Sequence, residues 1–125
     1  IDASGVLVGS ETSVGTARWA PAGASVGGNG LFYGGISFST NRNTVTRISP
    51  SGVLVGSETF VGTPRNSLAG VSIGDNGMFY GGRSGTSTTD NYATVTRIDA
   101  SGVIVGSETS VGTARGQLAG AGLIA

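Results

Sequence analysis

ISPSGVLVGSETFVGTPR, residues 48–65, decides how this chain is built, because it is written three times with small changes. Residues 1–18 read IDASGVLVGSETSVGTAR and residues 98–115 read IDASGVIVGSETSVGTAR; these two differ only at Leu7 and Ile104. The stretches between them repeat as well. AGASVGGNGLFYGG at 22–35 returns as AGVSIGDNGMFYGG at 69–82, and TVTR at 44–47 returns at 94–97. Ile1, Ile48 and Ile98 therefore lie 47 and then 50 residues apart. The added residues fall between the Gly-Gly pair and TVTR, and a length change confined to one segment marks it as an exposed loop.

A period near 50 residues is too long for one coil of a solenoid and suits a four-stranded propeller blade. The second full repeat holds four strand-like runs: Leu68–Ile73, Gly77–Tyr80, Ala93–Ile98 and Gly102–Thr109. They are β-branched or aromatic and are bounded by Gly, Asn, Asp and Ser, as strands are. Asn29-Gly30 and Asn76-Gly77 suit hairpins between the first two strands. Ser4-Gly5, Ser51-Gly52 and Ser101-Gly102 suit hairpins between the last two. Glycine recurs too often for any helix to survive, so the expected fold is all-β. The small Ala-Gly pairs of the first strand allow close approach around a propeller axis, and Gly-Gly after the second permits positive φ.

Composition narrows the chemistry. Of 125 residues, 38% are hydrophobic and 24 are glycine, so the core is thin and paired backbone groups carry much of the fold. Net charge is zero and there is no lysine, which leaves no electrostatic footprint for nucleic acid and no polybasic membrane patch. No apolar run reaches the length of a bilayer span, so no membrane insertion is expected. Cysteine and histidine are both absent, which removes disulfides, the commonest metal ligand and a Ser–His–Asp triad. No cofactor or metal site is expected. A first residue of Ile1 and no visible signal peptide suggest a chain that is processed or part of a longer polypeptide.

The order of features resembles Kelch repeats: Arg18 and Arg65, then Ala22-Gly23 and Ala69-Gly70, then Phe32-Tyr33-Gly34-Gly35 and Phe79-Tyr80-Gly81-Gly82. The chain lacks the Trp that such blades often carry near the fourth strand, Trp19 lying elsewhere. Its wording resembles Kelch-like arrays in bacteriophage virion proteins, especially those of cyanophages. That resemblance implies a virion or tail-appendage protein, placed in the virion or outside cells, that builds structure or touches a host surface.

Counted in order, the chain holds the end of one blade (1–17, strands C and D), two blades (18–62 and 65–112), and the first strand of another (115–125). A closed propeller takes roughly four to eight blades. The expected partners are therefore other copies of the chain or other virion proteins that complete the ring, with a host surface protein or glycan as a further partner.

Two sets of residues stand out. Glu11, Glu58 and Glu108 recur at one position, Arg18, Arg65 and Arg115 recur seven residues later, and Arg47 and Arg97 recur on the third strand. They read either as a ring of ligand-binding charges or as structural clamps on each connection, and repetition favours clamps. Identical Glu residues in similar surroundings make no acid–base pair, which speaks against glycosidase chemistry. The copper oxidases that carry Kelch blades need Cys and His ligands. Asp75, Asp90 and Asp99 lack calcium-loop spacing. The second set lies where the repeats differ. Successive turns of a meander alternate between sheet ends, so the variable connections share one face and gather Trp19, Phe38, Asn41, Arg42, Arg83, Asp90 and Tyr92. Such a face binds sugars or proteins through its aromatics, or else Trp19 or Phe38 folds down as an apolar plug. Three functions follow: a structural interaction module without catalysis, a receptor- or glycan-binding module, and a fragment of an enzyme whose active site lies elsewhere.

Overall fold

Each long repeat folds into an antiparallel four-stranded meander, and a computed structural model describes residues 2–84 and 91–116 of the chain. The first meander contains β1 (Ala22–Val26), β2 (Asn29–Tyr33), β5 (Thr44–Ile48) and β6 (Thr59–Phe60), hydrogen-bonded in that order. The second contains β7 (Ala69–Ile73), β8 (Asn76–Tyr80), β9 (Thr94–Ile98) and β10 (Thr109–Ser110) in the same spatial order. A third, two-stranded sheet joins β3 (Ile36–Ser37) to β4 (Thr40–Asn41). The described residues contain strands and no helix, as the glycine spacing predicts.

The register shows where the hairpin reading needs correction. Val26 pairs with Asn29 and Ile73 with Asn76, so the turn residues are Gly27-Gly28 and Gly74-Asp75, and both Asn-Gly pairs lie inside the following strand. Gly27 and Gly28 both have positive φ, whereas in the second turn Gly74 alone does. These are the φ signs of the two turn types that match strand twist. The Ser-Gly turns stand as expected. Gly52 and Gly102 donate back to the carbonyls of Ser49 and Asp99 at 2.9 and 3.0 Å. The side chain of Asp99 accepts from the amides of Ser101 and Val103.

The fourth strand differs most from its predicted span of Gly102–Thr109. Ile98 pairs with Ile104, and Val95 pairs with Thr109. Between those two pairs the outer chain carries two more residues than its partner, so the ladder breaks. Gly106 sits in the break at φ +68, as Gly56 does at φ +65 in the first sheet. This is a bulge, with the extra residues turned out of the ladder. Residues 2–13, which have the fourth-strand sequence, repeat the Asp-based turn through Asp2 but carry no ladder among the described residues. The expected end of a third strand at Ile1 and first strand at 117–125 lie outside the described residues.

Alternation decides the packing. On the first sheet Ala24, Val26, Leu31, Tyr33 and Val45 point to one face, here called the rear. Gly23, Ser25, Gly30, Phe32, Thr46 and Ile48 point to the other, the front. The rear of the first sheet packs on the front of the second, where Phe79, Thr96 and Ile98 are fully buried. Tyr33 meets Phe79 with ring centroids 5.2 Å apart and a tilt of 56°. Burying a side chain such as Phe79 or Leu31 in this way contributes about 1.5–3 kcal/mol. The sheets are closest at β1 and β7 and separate toward the outer strands. Gly70 permits that approach, because a Cβ there would lie 2.7 Å from the Gly23 carbonyl oxygen.

Candidate functional site

The recurring charges form a clamp between one repeat and the next. Each Arg does not pair with the Glu seven residues before it. Arg18 pairs with Glu58 at 3.3 Å and Arg65 with Glu108 at 3.2 Å. The connection leaving one repeat is thus tied to the outer strand of the following one. Threonines complete each clamp. Glu108 accepts from the Thr63 amide at 3.1 Å, the Thr63 hydroxyl at 2.7 Å and the Thr96 hydroxyl. Glu58 accepts the same set from Thr16 and Thr46. The bulge places these carboxylates, because the extra outer residues swing the chain so that Glu58 and Glu108 face Thr46 and Thr96.

Arg65 is wholly buried. Its Nε donates to the Gly81 carbonyl at 2.8 Å and its Nη1 to Thr96 at 3.0 Å, and the guanidinium lies 5.7 Å from the Tyr33 ring centre. Burial pushes the Glu108 and Glu58 carboxyls up, but the threonine hydrogen bonds and the arginine outweigh it and leave both below the ordinary range. Burial pulls Arg18 down, partly offset by Glu58. Burial pushes the Tyr33 hydroxyl up to about 12. That hydroxyl donates to the Val61 carbonyl at 2.8 Å. Arg47 donates to the Ala100 carbonyl at 3.2 Å, a further tie between sheets. A methyl group at Gly56 or Gly106 would approach the Arg47 or Arg97 guanidinium to 2.8 Å. Glu11 is exposed and takes part in neither ion pair. Arg115 is exposed and lies 5.7 Å from the Tyr80 ring centre.

Such an arrangement holds sheets together and offers no acid–base pair. Each carboxylate accepts from two threonines and one arginine, and the two clamps have the same construction. The sequence names the Glu and Arg members. It also repeats the threonines, in TVTR and in VGT, and that repetition is the signal that identifies them as partners.

The variable connections do run side by side. Trp19 and Ile36 exchange backbone hydrogen bonds at 3.0 and 2.8 Å, and Asn66 and Arg83 do the same at 3.1 and 2.8 Å. The segment predicted to be a plain exposed loop instead forms the β3–β4 hairpin, with Ile36 and Ser37 buried. Its turn residues, Phe38 and Ser39, have φ of 50° and 61°. Bulky residues rarely adopt that left-handed region, so the hairpin holds Phe38 out at a conformational cost. Phe38 is 94% exposed and Trp19 60%, so neither is the folded-down plug. They flank a cleft of about 440 Å³ that also contains Arg18, Ile36 and Ser37.

The other members of this face serve its framework. Arg42 donates to the Ser37 hydroxyl at 2.7 Å, and Asn41 accepts from Asn66 at 2.8 Å while donating to the Ser84 carbonyl. Arg83 is half-buried, and its backbone bridges Asn66 and Asn91. The Tyr92 amide donates to the Gly82 carbonyl at 2.9 Å. Asp90 lies outside the described residues. Compared with known proteins, the chain matches no family model and no curated sequence.

Proposed function

We propose that this chain is a segment of a β-propeller with Kelch-like blades, serving as a non-enzymatic structural and interaction module of the kind carried by phage virions and tail appendages. The two meanders fan out from their first strands, as blades around an axis do. The observation that carries the functional reading is a division of labour. The repeated Arg–Glu pairs are consumed in joining one sheet to the next. The most exposed aromatic, Phe38, stands on a strained turn where the repeats differ. Strain of this sort persists where the surrounding structure enforces it and is concentrated at binding sites.

The cleft beside Trp19 and Phe38 also supports a second reading, a glycan- or receptor-binding module, since aromatic faces stack on apolar sugar faces. Binding of the intact chain to host cells, virion proteins and a glycan array tests both readings. Trp19→Ala and Phe38→Ala are expected to abolish binding while changing stability by less than about 0.5 kcal/mol. Undiminished binding by both variants would remove this cleft from the proposal.

A further inference from the structure

The β3–β4 hairpin that carries Phe38 has little to hold it up from within. Its strands are two residues each, and a hairpin of that size is marginal by itself. Its turn puts Phe38 and Ser39 at φ of 50° and 61°, a conformation that such turns ordinarily give to Asn and Gly. Inside the hairpin, Arg42 Nε donates to the Ser37 hydroxyl at 2.7 Å. Further support comes from the second repeat. The Arg65 amide donates to the Arg42 carbonyl at 3.2 Å. Asn66 is 3% exposed, and its carboxamide is fully engaged. Nδ2 donates to Asn41 Oδ1 at 2.8 Å and to the Arg83 carbonyl at 3.3 Å, while Oδ1 accepts from the Ser67 hydroxyl at 2.8 Å. Asn41 in turn donates to the Ser84 carbonyl. A chain of bonds from Ser67 through Asn66 and Asn41 thus pins β4 to the second repeat.

We infer that Asn66 is a positioning residue for the Phe38 contact: from the second repeat it fixes the posture in which the first repeat displays Phe38. The inference rests on the recognition reading above and adds a residue that need not touch the partner. Asn66 directly follows the clamp arginine Arg65. That arginine recurs, whereas the residue after it changes, from Trp19 to Asn66 to Gly116. Arg18 makes the same ion pair with Trp19 beside it, so the clamp does not need an asparagine there. Asn91 bridges Arg83 as Asn41 pairs with Ile36, but it faces Gly116, where a Cβ would lie 3.1 Å from the Asn91 Oδ1. What Asn66 adds to its junction is the bond to Asn41. A buried carboxamide with every bond made leaves other arrangements with unpaired polar groups. Asn41 is therefore held in one place, and its pairing with Ile36 passes that place on to the turn two residues away.

Nitrogen-15 relaxation and amide hydrogen exchange in the full chain test this. In the parent, the Phe38 and Ser39 amides should have order parameters of about 0.85. Asn66→Gly, which copies the residue at 116, should lower both below about 0.6 and speed exchange of the Arg42 amide about tenfold. Asn41→Ala removes the same bond from the other side and should do the same. The double variant should go no further than either, because the two residues share one interaction. Ile98→Val, a change in the core, lowers stability and should leave Phe38 and Ser39 ordered. Where Phe38→Ala abolishes binding to host cells, virion proteins or the glycan array, Asn66→Gly should weaken it about fivefold, the loss expected when a contact is no longer preorganised. Unchanged order in Asn66→Gly, or an equal loss of order in Ile98→Val, would overturn the inference. If Asn66→Gly misfolds, Asn41→Ala carries the same test. Full binding by Asn66→Gly beside none by Phe38→Ala sinks the inference and leaves the recognition reading standing. Full binding by Phe38→Ala sinks the recognition reading, and the positioning role with it.

Discussion

The fronts of the two sheets have nearly the same sequence and different fates. Phe79 is fully buried, while Phe32 in the same register is 39% exposed. Arg65 is sealed from solvent on every side, and Arg18, making the same ion pair, retains 4% side-chain exposure. The second front is covered by a whole sheet. Among the described residues, the first is covered by the strip around Thr12, Thr16 and Arg18, with Thr12 donating to the Gly52 carbonyl at 2.8 Å. Burial here belongs to the neighbour that covers a residue rather than to the residue itself.

Measurements on matched pairs of variants sharpen or break that contrast. The largest gap is expected between the two phenylalanines. Phe79→Ala should cost about 3–5 kcal/mol in urea unfolding, the range for a buried aromatic. Phe32→Ala should cost about 1–2 kcal/mol because less area leaves water. Equal losses would mean that the two fronts are equally covered in solution. Next come the carboxylates. Glu108→Gln leaves the buried Arg65 without its counter-charge and should cost about 2–3 kcal/mol, and Glu58→Gln should cost slightly less because the Arg18 side chain keeps 4% exposure where Arg65 keeps none. Tyr33→Phe removes the hydroxyl that is shared between the Val61 and Thr63 carbonyls and should cost about 1 kcal/mol. That variant should also lose an alkaline dependence. The folded Tyr33 ionises near 12, so its stabilisation is complete below the unfolded value of about 10 and is lost as pH rises toward 12.

The smallest effect is the acid one. Glu58 and Glu108 titrate below the ordinary range when folded. Their stabilisation is therefore present above the unfolded value of about 4.3 and fades as pH falls through the lower folded value. The urea midpoint should drop on acidification through that window, and it should drop less steeply in Glu108→Gln than in the parent.

The strand order was readable because apolar alternation and Gly-containing turns recur in both long repeats, and the β1–β2 and β7–β8 hairpins need only those local signals. The outer strand was not readable as it formed. Its sequence, GVIVGSET at 102–109, carries no local mark of a break that the other glycines lack, and only pairing against Thr94–Ile98 shows that two residues have no opposite number. The Arg–Glu partnership was half legible. Recurrence marks both members, but spacing suggests the Glu seven residues back, whereas sheet packing selects the next repeat's Glu, 40 or 43 residues on. The β3–β4 hairpin lies in a region with no second copy to compare, and its Phe38-Ser39 turn violates the residue preferences by which turns are recognised.

The glycine bulge has a consequence beyond placing a carboxylate. Beyond it each sheet ends in a strand whose paired run, Thr59–Phe60 or Thr109–Ser110, is two residues long. A long, flat outermost strand is a template for fibril growth, and short, kinked ones are poor templates. The bulge that places the clamp carboxylates thus also leaves the outer edge of each sheet, β6 or β10, a poor template for such pairing.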